Sequence, residues 1–137
     1  MSKEHIVRLD ERAEYPAARK ISPSPIAARE LDEDVCALAA RLVASHCDVA
    51  IGEIVGRPRK SRRATRARHL AMYLAHVACG LSLAAVGAGF KRDRTTASYA
   101  CHKVEDARDD PAFDAALADL EICAGVLFEL RCEEKRT

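Results

Sequence analysis

Residues 92–103 read Arg92-Asp93-Arg94-Thr95-Thr96-Ala97-Ser98-Tyr99-Ala100-Cys101-His102-Lys103, and this stretch decides the predicted fold. Its apolar residues, continued by Val104, fall at i, i+3, i+4 and i+7, which is the spacing of an inward-facing helical stripe. Asp93 is placed to cap this helix by accepting hydrogen bonds from the free amides of the first turn. The opposite face carries basic and hydroxyl side chains.

A shorter helical pattern, residues 82–90, precedes this helix across a tight turn. Ser82 is a suitable N-cap for the shorter helix, and Gly89 falls at the turn. Two short helices joined by a turn, with basic and hydroxyl groups at the exposed start of the second, are typical of a helix-turn-helix that reads DNA.

The same region resembles the C-terminal DNA-binding domain of the bacterial replication initiator DnaA, and the similarity runs from about Ile26 to Leu127. The matching residues are Arg68-His69-Leu70-Ala71-Met72-Tyr73-Leu74, then Ser82, Gly87 and Phe90, then Arg92-Asp93-Arg94-Thr95-Thr96 and Ala100-Cys101-His102-Lys103. The sequence departs from that family at Arg94, where the family has His, at Ala97, where it has Val, and at Tyr99, where it commonly has His. The turn Phe90-Lys91-Arg92 also lacks the family's glycine pair and is one residue shorter.

Helical spacing also governs the rest of the chain, and no segment reads as a pair of strands. The predicted elements are a helix from Ser24-Pro25 to about Cys47, a single turn over 51–55, a basic loop over 57–63, a helix ending at Gly80, and a last helix from Asp110-Pro111 through Leu127. We therefore predict an all-α helical bundle containing a helix-turn-helix over residues 24–137. Residues 1–23 are predicted to form a disordered or loosely attached flexible arm, or alternatively a partner-binding peptide around residues 6–9.

Charge is distributed unevenly along the chain, although its net value is only +1. From Arg57 to Lys103 there are eleven Lys and Arg residues and one acidic residue, whereas both flanking parts are net negative. A run of nearly one sign beside a helix-turn-helix favours a nucleic-acid surface over an ordinary solvated face.

Three sets of residues are predicted to contact DNA. The residues predicted to read base edges in the major groove are Asp93, Arg94, Thr95, Thr96, Ser98 and Tyr99, with an inward-packed Thr96 and a partly buried Tyr99 as the alternatives. The resemblance implies a basic minor-groove residue at Lys60, for which Arg59 or Arg62 is a possible substitute. Phosphate contacts are predicted for Arg63, Arg66, Arg68, Ser82, Lys91, Arg92 and Lys103.

Other classes of function find little support in the sequence. The six cysteines show no CxxC spacing, so neither a zinc site nor a disulfide framework is predicted. No G-x-x-x-x-G-K-[ST] motif, catalytic pair or long apolar run is present, so we expect no bound nucleotide or other cofactor, no enzyme activity and no membrane span. A cytoplasmic, nucleoid-associated protein is the simplest expectation.

The prediction is therefore a free-standing version of the initiator's DNA-binding module. It is expected to bind double-stranded DNA at initiator-box-like sites, with an altered preference because of Arg94 and Ala97, and to regulate chromosome replication initiation. Two alternatives stay open. One is a protein-binding regulator that docks on a replication-initiation factor with reduced DNA specificity; the other is a transcription regulator.

Overall fold

A computed structural model describes residues 25–56 and 61–136, with side chains described from 28–56 and 61–135. Within these ranges the chain forms six helices and no strand, which confirms the all-α prediction. The helices are α1 (Pro25–Cys47), α2 (Ile51–Val55), α3 (Arg62–Tyr73), α4 (Leu83–Gly89), α5 (Arg94–Ala107) and α6 (Pro111–Arg136). The predicted arm, residues 1–23, lies outside the described residues.

Serine caps and one left-handed glycine set the limits of the middle helices. The hydroxyl of Ser61 accepts a hydrogen bond from the Ala64 amide at 3.1 Å, so α3 begins at Arg62. Arg62 and Arg63 were predicted to lie in the basic loop, and this prediction is wrong because the Ser61 cap brings both into the first turn of α3. A π-helical turn, Leu74–Ala78, continues α3, and Gly80 with φ of 80° ends it as predicted.

Small side chains form much of the core where α3 meets its neighbours. Helix α3 packs against α1 on one side and α5 on the other, and its Ala64, Ala67 and Ala71 are buried. Alanines allow the helix axes to approach closely, and Met72 and Phe90 fill the wider spaces. Helix α4 packs against α5 and α1, so the helix-turn-helix is held on the bundle through both of its helices.

Helix α6 is longer than the sequence pattern predicts, because it continues past Leu127 to Arg136. Its buried face packs on α1 and on the π-helical turn, and Arg131 binds Asp34 of α1 at 2.8 Å. Nearer to the start of α6, Glu121 accepts a hydrogen bond at 3.0 Å from Arg108, which also donates to the Tyr73 hydroxyl at 2.8 Å. These contacts brace the end of α5 against α3 and α6. No helix in the described ranges is both long enough and apolar enough to cross a membrane.

Candidate nucleic-acid interface

One face of helix α5 is buried in the core, and the opposite face is exposed to solvent. Its Ala97, Ala100, Cys101 and Val104 are buried, as the apolar spacing predicts. Burial raises the pKa of the Cys101 thiol to about 11, with a smaller effect from the nearby Glu105 carboxylate. Cys101 therefore packs as a small neutral hydrophobe, and the buried stripe fixes which side chains α5 presents outward.

The start of α5 presents the predicted base-reading side chains at the surface. Arg94 and Thr95 are exposed in its first turn, while Thr96 and Ser98 are half-buried at the edges of the exposed face. Tyr99 is 57% exposed, so the alternative of a partly buried ring does not hold. A helix can insert such a face into a major groove with its N-terminal residues at the base edges.

Asp93 occupies the N-cap position of α5, with extended backbone angles of −74° and 157°. Its carbonyl accepts from the Ala97 amide at 3.1 Å, but its side chain makes no capping hydrogen bond. The predicted cap is thus correct in position and wrong in mechanism, because the exposed carboxylate does not bind the amides of the first turn. Its two oxygens remain at the surface beside Arg94 and Thr95.

The exposed faces of α3 and α5 meet through a pair of aromatic rings. The rings of His69 and Tyr99 form a T-shaped pair, with their centroids 5.7 Å apart and their planes at 83°. Arg62, Arg66 and His69 lie at i, i+4 and i+7 along α3, and hence on one face. Because Tyr99 contacts the end of that stripe, the outward faces of α3 and α5 form one continuous surface.

His69 lies close to the positive charges of Arg68 and Lys103. Burial lowers its pKa, and the charges of Arg68 and Lys103 lower it further. The ammonium of Lys103 also lies 5.8 Å from the centre of the Tyr99 ring, within the range of a cation–π contact. A neutral His69 supports Tyr99 without adding to the repulsion among these cations.

Five exposed basic side chains surround this surface, and we call the set the basic face: Arg62, Arg66, Lys91, Arg94 and Lys103. Asp93 is the one acidic residue in the sequence between positions 57 and 103. A surface of this kind attracts a polyanion and places cations within reach of a phosphate backbone. Lys60, the minor-groove candidate, and Arg59, one of its two substitutes, lie outside the described residues, whereas the other substitute, Arg62, is exposed at the start of α3.

Four of the residues predicted to contact phosphate make hydrogen bonds within the fold: Arg63, Arg68, Ser82 and Arg92. Arg68 is only 9% exposed, and its guanidinium donates to the carbonyls of Ile54 at 2.9 Å and Glu53 at 3.1 Å. Arg63 donates to the carbonyl of Cys47 at 2.8 Å. Because carbonyl groups of the chain bind these guanidiniums, Arg68 in particular is not placed as an exposed phosphate contact.

Arg92 and Ser82 complete this group. One amino group of Arg92 donates to the Gly56 carbonyl at 2.8 Å and the other to the Phe90 carbonyl at 2.9 Å. The hydroxyl of Ser82 accepts from the Ala85 amide at 3.1 Å, as expected for the N-cap of α4. The charge pattern did not reveal the contacts of Arg92, because the sequence does not show which carbonyls a folded chain leaves without partners.

The turn of the helix-turn-helix depends on a non-glycine residue in the left-handed region. Lys91 has φ of 58°, a conformation that costs an L-residue other than glycine about 1–2 kcal/mol. The glycine pair typical of DnaA-type domains is missing here, so Lys91 adopts the left-handed conformation. Gly89, predicted at the turn, is the last residue of α4.

Comparison with known proteins agrees with this geometry. The sequence model of the bacterial DnaA protein helix-turn-helix matches residues 38–104, which include α3, α4 and most of α5. This chain resembles the C-terminal domain of bacterial DnaA. The chromosomal replication initiator DnaA of Acinetobacter baumannii strain AYE is 37% identical over 97 residues, covering 63% of this chain and 21% of that protein. DnaA of Mycobacteroides abscessus is 41% identical over 63 residues, covering 46% of this chain and 13% of that protein.

Solved structures give the same result in three dimensions. A crystal structure of a DNA replication initiation factor matches 89% of this chain and 38% of its own chain, with a TM-score of 0.68 and 27% identity. A replication initiator DnaA bound to AMPPCP and single-stranded DNA matches 89% of this chain and 37% of its own chain, with a TM-score of 0.65 and 27% identity. The chain therefore spans about a fifth of the length of the A. baumannii DnaA relative and contains a helix-turn-helix similar to that of bacterial DnaA.

In the described part of the chain, no three His, Cys, Asp or Glu side chains lie close enough together to hold a metal ion. Cys36 and Cys79 are buried, and burial raises the pKa of each thiol to about 12. Neutral thiols of this kind belong to the packing of the core and not to reactive or ligating groups.

Proposed function

We propose that this protein binds double-stranded DNA at sites related to the initiator box, with α5 in the major groove. The observation that carries the proposal is the start of α5, where exposed Arg94 and Thr95 stand beside the basic face in a DnaA-like helix-turn-helix. In this arrangement the cations position the duplex, and the first turn of α5 reads the bases.

Within this proposal, the exposed residues have distinct tasks. Arg94 is long enough to donate two hydrogen bonds to guanine O6 and N7, and Thr95 offers a hydroxyl and a methyl group at the same end of α5. Asp93 accepts from a cytosine amino group, while Tyr99 contributes from the next turn. Arg62, Arg66, Lys91 and Lys103 contact phosphates. The half-buried Thr96 and Ser98 lie at the margin of the reading surface.

Arg94 and the buried Ala97 stand where DnaA-type domains have His and Val. Ala97 is part of the buried stripe of α5 and cannot reach a base, whereas Arg94 is exposed. We therefore propose that the preferred site is related to the box TTATCCACA but altered at the position that Arg94 faces. The binding itself is tested by fluorescence anisotropy titrations with this box, single-position variants of it and a scrambled duplex of equal length. Equal affinity for the scrambled duplex and every box variant would remove the proposal of sequence-specific recognition.

Specificity should depend on the first turn of α5. We expect Thr95→Ala and Arg94→Ala each to reduce discrimination between the preferred and scrambled duplexes by about 1–3 kcal/mol, because each removes direct contacts to base edges. The matched control is Lys91→Ala, an exposed cation in the adjacent turn, which should weaken both duplexes about equally. An unchanged ratio in Thr95→Ala would show that this part of α5 does not face the bases.

The biological role that we propose is regulation of chromosome replication initiation. A DnaA-like module that occupies initiator boxes competes with, or assists, a full initiator at the same sites on the nucleoid. We expect deletion and overexpression of the gene to change the number of origins per cell, measured by flow cytometry after initiation is blocked. Unchanged origin numbers in both strains would favour transcription regulation instead.

A protein partner is the second candidate within this role, and charge favours it. Beyond the basic face, the α5–α6 junction exposes Glu105, Asp106, Asp109 and Asp110. An acidic surface remains accessible to a protein while the basic face holds DNA. A replication-initiation factor bound there would link the protein to initiation even if its DNA specificity is reduced.

A further inference from the structure

We propose that Arg92 is a positioning residue that ties the helix-turn-helix turn to the C-terminal end of α2 and thereby fixes the aim of the recognition helix α5. The proposal rests on the DNA-binding function proposed above and assigns Arg92 a different task from the phosphate contact that its charge suggests.

The guanidinium of Arg92 bridges two parts of the chain that are distant in sequence. On one side it donates to the carbonyls of Phe90 at 2.9 Å and Lys91 at 3.4 Å, both in the turn. On the other side it donates to the carbonyl of Gly56 at 2.8 Å, 36 residues earlier. The planar, forked guanidinium has donors pointing in several directions, whereas the single ammonium of a lysine cannot reproduce this bridge.

The end of α2 is well suited to receive this contact. The last carbonyls of a helix have no partner within the helix and carry partial negative charge, so cations are stabilising there. Arg68 binds two of these carbonyls, those of Glu53 and Ile54, and Arg92 binds the carbonyl of Gly56 directly after the helix. The two arginines together therefore hold this end of α2 against α3 and against the turn.

The guanidinium of Arg92 lies close enough to that of Arg68 to affect the pKa of Arg68. Burial lowers the pKa of Arg68, and the positive charge of Arg92 lowers it further. Two neighbouring cations repel each other, so the carbonyl contacts must offset this repulsion. Within the fold, the contacts of Arg92 with carbonyl oxygens thus compensate for the proximity of Arg68.

A phosphate at Arg92 would compete with these carbonyls for the same N–H groups. The residues that read DNA, in contrast, follow Arg92 directly, since Asp93 is the N-cap and Arg94 begins α5. The Arg92 amide also donates to the Gly87 carbonyl at 2.7 Å, so both the backbone and the side chain of Arg92 fix the start of α5. If the Arg92 bridge is lost, long and flexible Lys and Arg side chains should still reach phosphates. Short side chains at the start of α5, such as that of Thr95, should no longer be placed correctly at the base edges.

The test compares Arg92→Lys and Arg92→Gln with wild type, using the full chain, the preferred duplex from the titrations above and a scrambled duplex. Both substitutions should lower the ratio of specific to scrambled affinity about tenfold, while the slope of log affinity against log salt stays at the wild-type value. The matched control is Lys91→Gln, which should keep the ratio and make the slope less negative by about 0.9, because it removes one phosphate contact.

Amide hydrogen exchange provides a readout on the protein alone. The Ala97 amide, which donates to Asp93, should exchange at least tenfold faster in Arg92→Lys than in wild type. The Val104 amide, near the other end of α5, should change much less. Parallel loss of protection at both amides would indicate general unfolding and would overturn the proposal of a local positioning role.

Two further results have separate meanings. If Arg92→Lys keeps the wild-type ratio and Arg92→Gln makes the salt slope less negative by about 0.9, Arg92 is a phosphate contact and the positioning proposal fails. If wild type itself shows no difference between the two duplexes, the function proposed above fails. Measuring wild type in every series keeps the two failures distinguishable.

Discussion

We expect DNA affinity to fall by roughly 500-fold to 6,000-fold as monovalent salt rises from 50 to 200 mM. Each phosphate contact releases about 0.9 of a condensed counterion from duplex DNA, so five to seven contacts give a log–log slope of about −4.5 to −6.3. The five described cations of the basic face set the lower end of this range. Basic residues in the sequence between positions 57 and 60 account for the upper end.

The measurement is an anisotropy titration at four or more salt concentrations with a scrambled duplex, so that base reading does not contribute. The double substitution Arg62→Gln and Arg66→Gln should make the slope less negative by about 1.8, because it removes two cations from one face of α3. The control is Arg29→Gln and Arg41→Gln, which changes two exposed cations of α1 and should leave the slope unchanged. A wild-type slope near zero would contradict binding through the basic face.

The sequence predicted the architecture well because its decisive signals are local. The i, i+3, i+4, i+7 stripe of α5, the Ser82 cap and Gly80 each depend on a few neighbouring residues, and the structure confirms each of them. The uneven distribution of charge also indicated which part of the chain would carry the basic face. Periodicity and capping are largely independent of the rest of the fold, so one sequence was enough to predict them.

The tasks of individual arginines were less predictable, because they depend on contacts between distant residues. Arg66 and Arg68 are two positions apart in sequence, yet Arg66 is exposed and Arg68 binds carbonyls 14 and 15 residues earlier. The neighbouring sequence does not distinguish an arginine that binds the end of a helix from one that is exposed and can contact a phosphate. The same limit applies to Asp93, whose position as N-cap was predictable although its side chain does not bind the first-turn amides.

We expect Gly87→Ala to disrupt specific DNA binding more severely than its effect on stability would suggest. A Cβ atom at residue 87 would lie 2.8 Å from the carbonyl oxygen of Arg92 and 3.0 Å from the carbonyl carbon of Asp93. Both neighbours are backbone atoms of the turn, so relief requires the start of α5 to move. Overpacking of this kind costs about 1–3 kcal/mol, and the better helix propensity of alanine returns up to about 1 kcal/mol.

The net loss in free energy of unfolding should therefore be about 1–2 kcal/mol, measured by urea denaturation followed by circular dichroism. Discrimination between preferred and scrambled duplexes should fall at least tenfold at a temperature where the variant remains folded, because the turn aims the base-reading side chains. The matched control is Gly125→Ala in α6, where an added Cβ meets no atom within 4 Å. That variant should be more stable by about 0.5–1 kcal/mol and should discriminate as wild type does. If Gly87→Ala instead keeps full discrimination, the turn backbone can shift without moving the reading surface, and close contact between Gly87 and Arg92 is not what aims α5.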